Sequence, residues 1–201
     1  MSNPAAEASK MMIRTSWIGL WVQVVLGVIS TIILLFSAAA VVPRAGNPGA
    51  SNPGTGAGLL FAAIAVGILY FSAYQTFRNT AYGRRLLAPK NVRPSRADTL
   101  KLLRFNILVN MGGLGCALLG AEAITGNLLA KALVQPNAIN VAALDPSKFV
   151  QPLDIFVVLG NTHTLVAHFA GLLVSLRIID RIASRDRSEE HTSELQSLTN
   201  L

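Results

Sequence analysis

The sequence predicts an all-α, polytopic membrane protein with four transmembrane helices, and three observations carry that prediction. First, long runs contain no Asp, Glu, Lys or Arg: Trp17 to Val42 (26 residues), Gly56 to Phe77 (22), Phe105 to Ala121 (17) and Ile155 to Leu176 (22). About 20 apolar residues cross the hydrocarbon layer, because a helix rises about 1.5 Å per residue through about 30 Å of lipid tails. Second, the remaining charges cluster between these runs. Hydrophobic residues are 52% of the chain and charged residues 13%, whereas the helices of a soluble bundle need a charged stripe facing water. Third, the tiny and polar residues of the last two runs recur at helical spacing. One seam is Asn106, Asn110, Gly113, Ala117, Gly120, Ile124, Asn127, Lys131; the other is Asp154, Val157, Asn161, Thr164, His168, Gly171, Ser175. Steps of three and four return to one helix face, and with Leu, Val, Ile, Ala and Phe all around, each seam is the side hidden from lipid.

The expected organisation is a cytoplasmic segment over residues 1–16, a membrane domain over 17–186 and a tail over 187–201, with helices at about 17–42, 56–77, 103–133 and 154–177. The first run is too long for the apolar region of a signal peptide, which spans about 7–15 residues. Met1 to Ser16 is too short for a plant transit peptide, which favours a bacterial origin. The connector from Pro43 to Gly58 is rich in Gly, Pro, Asn and Ser, a flexible link without catalytic chemistry. Pro89 and Pro94 frame a turn, and Ser95 with Asp98 three residues on reads as an N-cap that starts helix three. The last fifteen residues, from Arg187, are polar and without period, a disordered tail if native. The string RSEEHTSELQS is also what a common sequencing-adapter oligonucleotide encodes in frame, so this segment, with His191, is set aside from fold reasoning. The lone Cys116 excludes an internal disulfide and sits among glycines as a small packing residue.

Charge sets the expected orientation. Arg78, Arg84, Arg85, Lys90, Arg93, Arg96, Lys101 and Arg104 crowd the central loop against Asp98 alone, while the other two loops hold one basic residue each, Arg44 and Lys148. Lys and Arg accumulate on the cytoplasmic side, so the central loop and both termini are expected there, with Arg177, Arg181 and Arg185 in agreement. Basic charge confined to one membrane side suits orientation and anionic lipid contact, and with no recognition motif present nucleic acid is not an expected partner.

Small residues let helix backbones approach and amides bond across the contact. The seams therefore predict a tight antiparallel hairpin of helices three and four, packed through Asn106, Asn110, Gly113, Gly120, Asn161 and Gly171. Gly112, Cys116 and Gly120 add a second row of small residues. The alternative use of the seam is a polar path for an ion or solute, and the intramembrane ionisable residues Glu122, His163, His168, Asp154 and Lys131 are its candidates. Lys131 and Asp154 fall on the seams at the same end and are expected to pair. His168 lies mid-membrane, in a neutral hydrogen-bonded role or a titrating or metal-binding one. His163 is five residues earlier, about 140° round the helix, so the two do not clamp one metal from one face. Glu122 lies off the seam. It faces helix one or two, a neighbouring subunit or the outer interface, with His163 as a candidate partner at similar depth. No nucleophile elbow, HExxH or paired-Asp motif occurs, and NMGGLG lies inside a hydrophobic helix rather than after a strand. No catalytic residue and no cofactor are expected.

The stretch RADTLKLLRFNILVNMGGLGCALLGAEAITGNLLAKAL, followed by PLDIFVVLGNTHTLVAHFAGLLVSL, resembles the cyanobacterial and chloroplast inner-envelope family of Tic twenty-one, also described as the permease in chloroplasts. The telling pieces are N-x-x-G-x-G-x-A-L-L-G from Asn110 to Gly120, the A-K-A-L that ends helix three, and N-T-x-x-x-H-F-x-G-L in helix four. The resemblance implies four spanning helices in a bacterial, cyanobacterial inner membrane. It also implies one of two roles, a component of protein import or an iron permease. Expected partners are the lipid bilayer and a homo-oligomer or larger membrane complex, with iron or another metal ion as candidate substrate. The rival expectation is a non-transporting scaffold or assembly factor for other membrane complexes.

Overall fold

The computed structural model describes residues 4–41, 53–89, 93–134 and 149–199, with side chains up to 184 in the last segment. They form four helices, α1 (Pro4–Val41), α2 (Pro53–Arg85), α3 (Arg96–Val134) and α4 (Pro152–Thr199). Arg44, Lys90, Lys148, Asp145 and most of both outer connectors lie outside the described residues. Among the described residues three helical segments, Ala6–Ala39, Gly56–Arg85 and Arg96–Leu133, are long and apolar enough to cross a membrane by length and composition. The crossing expected at Ile155–Leu176 is not among them.

The helix starts follow from local chemistry. At α3, Ser95 Oγ accepts from the Asp98 N–H at 3.1 Å and donates to Asp98 Oδ2 at 2.6 Å, which satisfies an end N–H that has no intrahelical partner. At α4, Pro152 fills the first position, where its missing N–H costs nothing. Asp154 Oδ2 accepts from the Gln151 N–H at 2.9 Å. At its far end α2 closes with the Leu86, Leu87 and Ala88 amides bonded back to Tyr82, Arg84 and Arg85 before Pro89 stops it.

All four helices extend beyond their charge-free runs. α1 begins at Pro4 rather than near Trp17 because its buried face continues: Ser9 Oγ donates to Gly83 O at 2.7 Å, and Met12 packs with Leu103, Val174 and Ile178. α2 carries on past Phe77 because Asn79, Thr80 and Gly83 keep a buried face under Arg78, Arg84 and Arg85. The backbone of α4 is helical to Thr199, through the segment expected as a tail; Glu, Gln, Leu and Arg there are good helix formers.

Neighbouring helices run antiparallel. Along α1 and α2, Ser9 meets Gly83 and Gln23 meets Ser72. Along α3 and α4, Asn106 meets Ser175 and Lys131 meets Asp154. α2 lies against α3, with Gly58 near Gly120 and Phe71 edge-on to Phe105 at 6.3 Å. α1 closes on α4, where Ser30 Oγ donates to Gly160 O at 2.8 Å. The result is an up-down-up-down bundle whose outward faces carry Trp21, Phe36, Phe71, Tyr74, Leu118 and Phe169.

Candidate functional site

The two seams lie inside the bundle. Asn106, Asn110, Gly113, Ala117, Gly120 and Ile124 are buried, as are Val157, Asn161, Thr164, His168, Gly171 and Ser175; Asn127, Lys131 and Asp154 are half-buried. The seam is not confined to α3 and α4, however. Gly120 has the Ala62 amide of α2 within 3.3 Å of where a β-carbon would stand, and the Gly58 carbonyl and Asn161 Oδ1 within 3.4 Å. The expected hairpin is thus one side of a contact shared with α2. The second small row packs only where it joins the first, at Gly120. Gly112 is exposed with nothing within 4 Å, and Cys116 is half-buried.

At the centre, all four helices contribute to one hydrogen-bonded cluster. Asn110 anchors it. Its Nδ2 donates to Asn106 O at 2.9 Å and to Asn106 Oδ1 at 3.2 Å. Its Oδ1 accepts from Ser72 Oγ at 2.8 Å and from Gln23 Nε2 at 3.2 Å. Gln23 Nε2 also donates to Ser72 Oγ at 2.9 Å, and Thr76 Oγ1 donates to Gln23 Oε1 at 2.9 Å. His168 places Nδ1 3.2 Å from Asn110 Oδ1 and Nε2 3.1 Å from the Ala65 carbonyl oxygen. Asn106 Nδ2 reaches Ser175 Oγ at 3.1 Å, and Asn161 Nδ2 reaches Ala117 O at 2.9 Å.

Glycine makes this convergence possible. A β-carbon on Gly113 would overlap the His168 ring, and one on Gly171 would strike Asn110 Oδ1 and Gln23 Nε2. Buried polar groups are tolerated in an apolar interior only when bonded. Ser16 Oγ, both amide atoms of Asn79 and Asn161 Oδ1 have no hydrogen-bond partner among the described residues.

The other candidates separate. Lys131 Nζ lies 2.8 Å from Asp154 Oδ2 and 3.0 Å from Oδ1, so the expected pair forms at the end away from the basic loop. His163 is half-buried with Nδ1 2.8 Å from its own-helix carbonyl of Leu159. The Glu122 side chain is exposed and makes no hydrogen bond or ion pair among the described residues, so it does not bond to His163. It lies on an outward stripe of α3, with Gly112, Gly115, Leu119, Gly126, Leu129 and Leu133 also exposed. Among the described residues no three His, Cys, Asp or Glu side chains are grouped to hold a metal ion.

The contributions of α1 and α2 were not read from the sequence, although a signal was there. Ser9, Ser16, Gln23, Ser30 and Ser37 recur every seven residues along α1, and all are buried. On α2, Ser72, Thr76, Asn79 and Gly83 make the matching stripe. A seven-residue polar repeat in an apolar helix marks an inward seam as surely as the three-and-four steps of α3.

Residues 2–183 match a family described as "Protein of unknown function (DUF3611)". The chain is also similar to "Protein TIC 21, chloroplastic" of Arabidopsis thaliana, 34% identical over 174 residues. That match covers 86% of this chain and 57% of the relative, so the chain spans little more than half of that protein's length. No solved structure matches.

Proposed function

The chain belongs to the DUF3611 family, and from that premise we propose that it is a multi-pass membrane protein with a permease-like role, iron being the candidate substrate, or a role beside a protein translocon. One observation carries this reading: a hydrogen-bonded polar core fed by all four helices within their charge-free runs, centred on Gln23, Ser72, Asn110 and His168. Polar groups are costly in lipid and need a reason to be there. No catalytic step and no cofactor are part of the proposal.

The proposed topology has four crossings and cytoplasmic termini in a bacterial, cyanobacterial inner membrane. The fourth crossing is supported by the uncharged Ile155–Leu176 run, packed antiparallel to α1 and α3. The orientation is supported by the basic residues between α2 and α3 and by Arg177 and Arg181 at the same end, with Lys131 and Asp154 at the other. A homo-oligomer or larger complex is part of the proposal, since four helices whose interior is filled leave little room for a monomeric path. The outward stripe of α3 around Glu122 supports it, because a carboxylate facing lipid is better accommodated against a protein donor.

A scaffold or assembly role is the second reading. The filled core favours it, as Gly113 and Gly171 leave no space beside His168 and Asn110. Iron uptake into proteoliposomes decides between the two. Uptake above empty liposomes that falls in Glu122→Gln or His168→Ala supports a permease, and no uptake above empty liposomes removes that reading in favour of the scaffold.

A further inference from the structure

The hydrogen-bond inventory at His168 contains an asymmetry that a neutral imidazole cannot satisfy. The ring is buried, with Nε2 3.1 Å from the Ala65 carbonyl oxygen and Nδ1 3.2 Å from Asn110 Oδ1. A backbone carbonyl can only accept. The Asn110 amide cannot turn to offer its nitrogen, because the end facing away from His168 lies 2.9 Å from the Asn106 carbonyl oxygen and must be the donor. Ser72 Oγ and Gln23 Nε2 also donate to Asn110 Oδ1, which fixes it as an acceptor. Both ring nitrogens therefore face acceptors. A neutral imidazole has one N–H and one lone pair, and that lone pair would confront an oxygen. The imidazolium has two N–H groups and donates at both.

We propose that His168 is a proton-binding site at the centre of the bundle, its protonated ring donating from Nε2 to Ala65 and from Nδ1 to Asn110. The groups against the ring carry no formal charge: the Ala65 carbonyl from α2, Asn110 and Gly113 from α3; nor do those bonded to them in the cluster, Gln23 from α1 and Ser72 and Thr76 from α2. The other titratable groups within these stretches are Tyr70 and Tyr74 on α2, Cys116 on α3 and His163 on α4, with Tyr74 on the outward face. Tyr70 is exposed and hydrogen-bonded to Thr31, and His163 is bonded to Leu159. The bound proton is thus stabilised by oriented oxygen dipoles, with no carboxylate bonded to the ring. Polar atoms without a hydrogen-bond partner among the described residues flank the site along the bundle. Ser16 Oγ and both amide atoms of Asn79 lie toward the basic helix ends, seven residues before Gln23 and three after Thr76; Asn161 Oδ1 lies on the other side. Bridging water at these atoms would give the proton its access. The site does not depend on whether the protein transports anything.

The test is ring ¹⁵N NMR of the full chain, labelled at histidine, in phosphatidylglycerol-containing nanodiscs, with the His168 signals identified by their loss in His168→Gln. On acidification the His168 ring should pass from one protonated nitrogen to two, both in hydrogen bonds to oxygen, while the helical circular dichroism is unchanged. Asn110→Asp puts a carboxylate at the acceptor and should move that conversion to a proton concentration at least ~10-fold lower. A bare ring nitrogen persisting at every pH down to unfolding overturns the proposal, as does unfolding in the same step as protonation. A folded Asn110→Asp variant that leaves the conversion unmoved also overturns it; if that variant does not fold, the wild-type titration alone decides. Proteoliposome uptake is read separately, so its absence removes the permease role and leaves the proton site standing.

Discussion

The two faces of α3 hold similar residues and do opposite things. Inward, Gly113 and Gly120 sit against His168, Ala62 and Asn161, with Asn106 and Asn110 bonded across the bundle. Outward, Gly112, Gly115 and Gly126 have nothing within 4 Å, and Glu122 is exposed. Small residues therefore permit close approach without specifying it. The glycines that pack are those in register with the asparagines, because in an apolar medium the amides have nowhere else to bond. Four experiments test how far that contrast holds.

The largest effect is expected from Gly113→Leu. The backbone there has no space for a β-carbon beside His168, so the leucine must displace the ring and open the Asn110 cluster. Overpacking costs about 1–3 kcal/mol, sometimes more, and this variant should lie at or above the top of that range by reversible unfolding in mixed micelles. Gly120→Leu should follow, since its neighbours include the backbone of α2. Full tolerance of both would mean that the inward face is no tighter than the outward one.

Asn110→Leu comes next. It removes the acceptor of Ser72, Gln23 and His168 together. Each donor left unpaired in a buried site costs about 1–3 kcal/mol, but interhelical bonds in membranes average only about 0.6 kcal/mol because the partners find substitutes. A loss of about 2 kcal/mol is expected, less than the sum of the parts. A larger loss would mark the cluster as cooperative, and none would show that the glycines alone hold the core.

This ordering also explains what the sequence made legible. The seams of α3 and α4 were readable to the residue, because polar and tiny side chains stand out against an apolar background at a period that only a helix produces. The Lys131–Asp154 pair was readable for the same reason, as two charges at matched ends of two seams. The α1 and α2 half of the core was hidden by the kind of residue used. On α1, Ser16 and Ser30 occur singly in an apolar helix, and only the seven-residue recurrence through Gln23 distinguishes them from isolated serines bonded to their own helix; on α2, Ser72 is marked only by the Thr76, Asn79 and Gly83 that follow it. The identity of the element across from Gly120 could not be read either. A glycine shows that something comes close without naming it, and here α2 shares that place with α4.

Lys131→Met should have a smaller effect than either core change. The pair is short, with side chains 12% and 17% exposed, so removing the ammonium leaves Asp154 with the Gln151 N–H as its described hydrogen-bond donor. A destabilisation of about 1 kcal/mol is expected, between the value of an exposed pair and that of a fully buried one. The double variant Lys131→Met with Asp154→Leu should recover part of it, since both charges are then gone. If the double variant is worse than the sum of the singles, Asp154 is chiefly serving the start of α4 rather than the lysine.

The smallest effect on the fold is expected on the outward face, and it is the sharpest test of the contrast. Gly115→Leu and Glu122→Gln touch nothing inside the bundle, so each should leave the unfolding free energy of the monomer within about 0.5 kcal/mol of the original. Their effect should appear instead in association, measured as the dissociation of crosslinkable or fluorescently paired copies in nanodiscs. Gly115→Leu tests shape, since a bulky side chain on that stripe separates two helices that had met there. Glu122→Gln tests charge, since the amide keeps hydrogen-bonding capacity but cannot pair with a cation across the contact. If Gly115→Leu dissociates the copies and Glu122→Gln does not, the stripe is a packing surface and the carboxylate belongs to the membrane interface. If both dissociate them, Glu122 has its partner on a neighbouring subunit. A loss of monomer stability above about 1 kcal/mol from either change would instead place the outward face inside the fold and dissolve the distinction between the two sides of α3.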